Sequence, residues 1–206
     1  MARRGDKLRE HILWVAKDVF LEMGFERASM DEVANRAETS KRSLYAHFES
    51  KEKLFLAVIE LVRGLFLSRL KLPSDYSEKP AEALVMFCGR YLEILLYEGS
   101  IRMCRVSMAE TERFPEGATE YFDVLFTQVH TRLNAYLKAT FGLPVKASAE
   151  AAQRLLGQVL YPRFPRALFG MDELAESFDD DALAPDFDLK PIRKAVADLI
   201  ELLAKR

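Results

Sequence analysis

Apolar residues return at three- and four-residue steps along almost the whole chain, and that one period decides what the chain can fold into. Leu8, Ile12, Val15, Ala16, Val19 and Phe20 trace the first stripe, with Arg9, Lys17, Asp18 and Glu22 between them. Such spacing lines one face of a helix, and no stretch shows the two-residue alternation of a half-buried strand. The chain is therefore expected to be all-α. Gly24 stops the first helix. Ser29 opens a second, with Glu32 reaching back to complete a capping box, and Val33, Ala34 and Ala37 form its short apolar face. Ser40 caps a third helix over residues 41–48, with Leu44 and Phe48 turned inward, and Ser50 caps a fourth carrying Leu54, Phe55, Val58, Leu61, Val62 and Leu65. Residues 73–80 read as a loop, followed by helical patterns over 81–97, 100–111, 115–141 and 148–160. Pro162 and Pro165 break the last of these. Residues 171–189 carry Asp172, Glu173, Glu176, Asp179, Asp180, Asp181, Asp186 and Asp188 without one Lys or Arg, which reads as a solvated loop. Pro191 then opens a final helix.

The formal net charge of −2 excludes a uniformly basic coat, but a small DNA-binding domain needs only a local cluster of cations. Cys88 and Cys104 stand sixteen positions apart with no CxxC, a spacing that suits neither a zinc site nor a disulfide framework. They read as small buried apolar residues of a protein in the reducing cytoplasm. The N-terminus is basic but has no apolar stretch behind it, and Lys17 and Asp18 interrupt the run from Ile12 to Leu21. No run is long enough to span a membrane. His11, His47 and His130 are too scattered for a metal set, and no nucleophile–base pair or phosphate loop is evident. No catalytic function, cofactor or metal is expected.

Two short helices separated by Glu38-Thr39-Ser40, behind a longer scaffold helix, have the proportions of a helix-turn-helix. An ordinary helical hairpin has the same proportions. The third helix favours the first reading, because its outward residues are Lys41, Arg42, Ser43, Tyr45 and His47, with no carboxylate among them. Such a face suits phosphate oxygens and base edges. Ser40 also starts a helix whose first amides could meet a phosphate, and Lys51 could clamp a flanking one.

The run GFERASMDEVANRAETSKRSLYAHFESKEKLFLAVI resembles the DNA-binding signature of tetracycline-repressor (TetR/AcrR) family regulators. The resemblance rests on Gly24-Phe25, Ser29, Val33-Ala34, Ala37, Ser40, Leu44-Tyr45, Phe48, Lys51-Glu52 and Leu54, and extends from about Lys7 to Ile59. It implies a three-helix helix-turn-helix domain over residues 1–52 and a larger helical effector-binding and dimerisation domain over 53–206. Carried onto this sequence, the DNA contacts would be Ser29, Thr39, Ser40, Lys41, Arg42, Ser43, Tyr45, His47 and Lys51. Two positions depart from the pattern: Glu38 stands where the turn usually has Gly, and Met30 where a Thr often touches phosphate. The implied partners are a palindromic double-stranded DNA operator, a small-molecule effector and a second copy of the chain. The implied function is ligand-responsive regulation of transcription, most simply repression.

The remainder is read from residues again. Glu110-Thr111-Glu112-Arg113-Phe114-Pro115-Glu116 resembles a motif of one branch of that family. Phe87, Tyr91, Tyr121, Phe122, Phe126, Tyr161 and Phe164 either fill the core or line an aromatic cavity. Arg105, with Arg102, either anchors an acidic ligand or pairs with nearby glutamates. Ile192, Val196, Leu199, Ile200 and Leu203 on the last helix, with Leu155, Leu156, Val159 and Leu160 before it, offer two stripes for an intermolecular four-helix bundle. Both stripes could equally pack inside one subunit.

Overall fold

The computed structural model describes residues 4–205, so the basic start of the chain, residues 1–3, and its last residue lie outside the described residues. The helices are α1 (Arg4–Arg27), α2 (Met30–Arg36), α3 (Lys41–His47), α4 (Lys51–Arg69), α5 (Pro80–Leu96), α6 (Glu98–Ala109), α7 (Pro115–Phe122), α8 (Gln128–Phe141), α9 (Val145–Leu160), α10 (Arg163–Leu168) and α11 (Lys190–Ala204). Among the described residues the one extended pairing is an isolated parallel bridge between Tyr97 and Ala175. The all-α reading holds. No described helix is long and apolar enough to cross a membrane.

The helix ends follow the local chemistry of the sequence. Gly24 takes φ +73°, a left-handed conformation that L side chains rarely adopt, and it breaks α1 inside its last turns. Ser29 Oγ accepts the Glu32 amide (3.1 Å), Ser40 Oγ the Ser43 amide (3.1 Å) and Ser50 Oγ the Lys53 amide (3.3 Å), so the three predicted serine N-caps are in place. The other half of the expected capping box is replaced: Glu32 turns to Arg36, whose Nε donates to it at 2.6 Å. The predicted helix over 115–141 runs unbroken, with a π-helical turn at Asp123–Thr127 where the Gln128 amide reaches the Asp123 carbonyl.

The chain folds as two compact units. The first holds the residues up to Leu65 together with Arg102–Tyr121. Its centre is a cluster of four phenylalanines: Phe20 and Phe25 from α1, Phe55 from α4, and Phe114 from just before α7. Ring centroids of Phe25, Phe55 and Phe114 stand 5.0–5.2 Å apart, within the range of favourable edge-on and tilted contacts.

The second unit holds Phe66–Ile101 and Phe122–Arg206. Helix α5 is buried on nearly every side, while α9 packs on α8, and α11 packs on both α5 and α9. Leu155, Leu156, Val159, Ile192, Val196 and Leu199 are buried within the chain. The stripes expected to face a second subunit are thus largely consumed by the chain's own core. Helical period announces that a face is covered, not by which molecule.

The acidic segment 171–189 is a loop, as expected, but it is pinned rather than merely solvated. Arg90, 1 % exposed, donates to the carbonyls of Asp179 (2.7 Å), Asp180 (2.6 Å) and Ala182 (2.7 Å) and pairs with Glu93 (2.7 Å). Glu93 in turn accepts the Ala184 amide at 2.8 Å. Phe178 lies beneath two guanidiniums, Arg69 and Arg90, each 5.0 Å from its centroid. A side chain at Gly89 would meet Leu189 at 2.5 Å, so the strap lies directly on α5.

Candidate nucleic-acid interface

Helix α3 is short and amphipathic, and two anchors fix which of its faces looks outward. Leu44 is fully buried and Phe48, at the helix end, is 3 % exposed. That leaves Lys41, Arg42, Tyr45 and Ala46 exposed, with Ser43 and His47 half-buried at the margins. Tyr45 is among the most exposed large apolar side chains of its unit, at 48 %. An amphipathic aromatic held in water by its own helix is available to a partner surface.

The turn before α3 carries the unusual backbone. Glu38 takes φ +49°, the one positive φ outside glycine among the described residues. The position where glycine was missing is therefore the position that needs it, and the turn is made regardless. The Glu38 and Thr39 amides reach back to Asn35 (3.1 Å) and Ala34 (3.0 Å), closing the end of α2. Met30, at the other departure from the pattern, is buried at the start of α2 and offers no phosphate donor.

The polar candidates divide by what they already hold. Ser29 and Ser40 are N-caps, and the Ser40 hydroxyl donates to Ser43 Oγ at 3.0 Å. One amide at the start of α3, that of Ser43, is thereby already taken. Lys41 pairs with Asp31 at 2.6 Å, but both side chains are more than half exposed, so the pair is weak and easily traded. Arg42 and Tyr45 have no hydrogen-bond partner among the described residues.

Lys51 already holds acceptors of its own chain. Its ammonium donates to the carbonyls of Phe25 (2.9 Å), Ala28 (3.1 Å) and Glu26 (3.4 Å) and lies 4.3 Å from the Phe25 ring centroid. It gathers the carbonyls left open where α1 ends. Beside it, the Glu52 carboxyl is held below its ordinary range, first by the Ser50 hydroxyl and next by its own amide. Together these contacts fix the start of α4 against the corner that carries α2. Sequence reasoning passed over two α1 residues: the Arg9 guanidinium lies 4.9 Å from the Phe48 ring centroid, and Gly5 lies beside His47. Both lie before the run that begins at Gly24, and α1 periodicity marks only its buried side.

The aromatic candidates scatter. Phe87 and Tyr91 are fully buried in the second unit, with the Tyr91 hydroxyl donating to the Leu125 carbonyl at 3.0 Å. Phe122, Phe126 and Phe164 form a chain of ring contacts at 4.9 and 5.8 Å, with Phe122 largely exposed. Tyr161 is 74 % exposed beyond the end of α9. In the first unit, Arg105 is exposed on α6 while Tyr121 is buried against Cys104. Burial pushes both thiols, Cys88 and Cys104, up to about 12.

Residues 12–58 match the family described as bacterial regulatory proteins, tetR family, and residues 82–185 match the C-terminal domain of AefR-like transcriptional repressors. Among curated proteins, the chain is 46 % identical over 63 residues to the HTH-type transcriptional activator FasR of Mycolicibacterium smegmatis, covering 28 % of this chain and 29 % of that protein. It is 32 % identical over 93 residues to the HTH-type transcriptional repressor NicS of Pseudomonas putida, covering 44 % of each. The chain thus spans less than half the length of these two curated relatives. Among solved structures, a TetR-family regulator from Mesorhizobium loti matches with TM-score 0.76 at 20 % identity over 99 % of this chain and 98 % of that one. The flavonoid-responsive regulator FrrA matches with TM-score 0.72 at 25 % identity over 97 % and 96 %.

Proposed function

Because the chain belongs to the TetR family of DNA-binding transcriptional regulators, a non-enzymatic family, we propose that it is an effector-responsive repressor that holds a palindromic operator as a homodimer. The observation that carries the reading is the outward face of α3, where Arg42 and Tyr45 stand exposed and unengaged above a buried Leu44. Arg42 and Tyr45 read base edges. Lys41, Ser43, Thr39 and His47 meet the backbone, and Ser29 and Ser40 hold the two helices in register. Lys51 acts by fixing the corner rather than by touching phosphate.

The dimer uses the sides of α9 and α11 that the core leaves open. On α9 these are Gln153, Arg154, Gly157 and Gln158, all exposed, and on α11 they include Arg193, Lys194, Ala197 and Glu201. Gly157 permits close approach of a second helix. Two copies then present their recognition helices to successive major grooves, about 34–36 Å apart or at a longer spacing. Effector binding shifts the population toward a conformer with a different spacing, through α4, which runs from the first unit into the second. The similarity to FrrA, a flavonoid-responsive regulator, supports a small-molecule effector. A protein of this kind works in the cytoplasm.

Selection of binding sites from random DNA, followed by footprinting and mass measurement of the free protein, tests the reading. A two-fold symmetric site bound by a species of twice 23.6 kDa is expected. A monomer on an asymmetric site would sink it.

A further inference from the structure

The second unit contains a cavity of about 690 Å³ beneath the acidic strap, between the end of α5 and α10, and none of the aromatic candidates read from the sequence lines it. Its size suits one drug-sized molecule. The apolar wall is made by Leu96, Leu174, Phe178 and Phe187. Phe178 lies beneath the guanidiniums of Arg69 and Arg90 and edge-on to Tyr97, the two ring centroids 5.0 Å apart.

The polar wall specifies more. Arg163, at the start of α10, lines the cavity with its guanidinium 4.9 Å from the Phe187 ring centroid, and its Nη1 is buried without a hydrogen-bond partner. A buried guanidinium nitrogen without an acceptor is costly, and an oxygen brought by a ligand would relieve it once the Phe187 ring turns aside. The carboxylates of the wall are Glu93, Asp172, Glu173, Asp186 and Asp188. Arg90 neutralises Glu93, and Arg166 holds Asp172 through two nitrogens at 2.7 and 3.0 Å. Asp188 accepts the Lys190 amide. Glu173, Asp186 and Asp188 then outweigh the single charge of Arg163. An anion is repelled by that balance, while a cation leaves the Arg163 donor unmet and adds a charge beside it.

We propose that this cavity binds a neutral, flat aromatic molecule with one carbonyl oxygen for Arg163 and hydroxyl groups for the strap carboxylates, its rings seated within the apolar wall of Leu96, Leu174, Phe178 and Phe187. Assigning that molecule the role of effector rests on the proposed function above; the site itself does not.

Calorimetric titration of the full chain with three probes of similar size tests the site: a trihydroxyflavone, a naphthoate anion and ethidium. The flavone is expected to bind at least tenfold more tightly than the other two and to slow amide exchange in residues 172–188. Arg163→Met keeps the stem on Phe187 but removes the donors, and is expected to weaken flavone binding tenfold or more with unchanged thermal stability. Asp186→Asn serves as a second variant, expected to narrow the preference over naphthoate. Equal flavone affinity in Arg163→Met, tighter binding of either ion, binding of none of the three, or protection confined to other segments would each overturn the proposal. Operator affinity measured with and without flavone separates the two readings: flavone protection of 172–188 without any change in DNA binding upholds the site and removes its regulatory role.

Discussion

Phe114 sits edge-on against Phe25 with their centroids 5.0 Å apart, so a residue 89 positions downstream completes the aromatic core behind the helix-turn-helix. Arg113 beside it pairs with Glu26 and lies over the same Phe25 ring, and a side chain at Gly117 would crowd Leu56 and Ile59 at 3.1 Å. The segment resembling a branch motif is therefore structural material of the reading head. Phe114→Ala is expected to destabilise the protein by about 3 kcal/mol, the low end for a buried phenylalanine because the ring lies near the surface. Urea denaturation measures this. A loss under about 1 kcal/mol would mean the ring is not a core element.

Glu38 stores backbone strain in the turn ahead of α3. Replacing it by glycine removes the left-handed penalty but frees the unfolded chain, and the first effect is the larger at φ +49°. Glu38→Gly is expected to raise stability by about 0.5–1 kcal/mol in the same denaturation assay, whereas Glu38→Ala is expected to leave it within about 0.5 kcal/mol, since alanine keeps the strain.

The cations near α3 separate by experiment. Lys41→Ala gives up only an exposed pair with Asp31, so stability should hold while the slope of log affinity against log salt falls by about one. Lys51→Met should do the opposite, leaving the slope alone and costing about 2 kcal/mol of stability, because three carbonyls lose a charged donor. Arg42→Ala and Tyr45→Phe should change which operator is preferred. Identical behaviour of all four variants would remove the division of roles.

What the sequence revealed here is what short-range chemistry dictates. The Ser29 and Ser40 caps, the break at Gly24 and the inward Leu44 depend on residues within a turn of one another, and all appear in the structure. The strained Glu38 was legible only because a family pattern put glycine there. The carbonyls that hold the Lys51 ammonium lie 23 to 26 residues before it, beyond the reach of any sequence period. The aromatic residues of the second unit carry a helical period that is the same for a packed core and a cavity wall. The cavity beneath the strap is made by a segment whose partners on α5 lie about 90 residues away.

The Arg90–Glu93 pair gives the last prediction. Both side chains are buried, and neither is tolerable alone: Arg90→Met leaves the Glu93 carboxylate desolvated, and Glu93→Gln leaves an uncompensated guanidinium. Each single variant is expected to lose about 3–5 kcal/mol. Replacing both, as Arg90→Met with Glu93→Leu, removes the buried charges together and should restore most of that loss. It should not restore the strap, because the carbonyls of Asp179, Asp180 and Ala182 still lack the donor that Arg90 supplied. Limited proteolysis of the double variant should therefore cut within residues 172–188 while the rest of the chain stays resistant. A double variant as resistant there as the parent would show that Phe178 and the contacts of Leu183 and Leu189 with α5 hold the strap without Arg90.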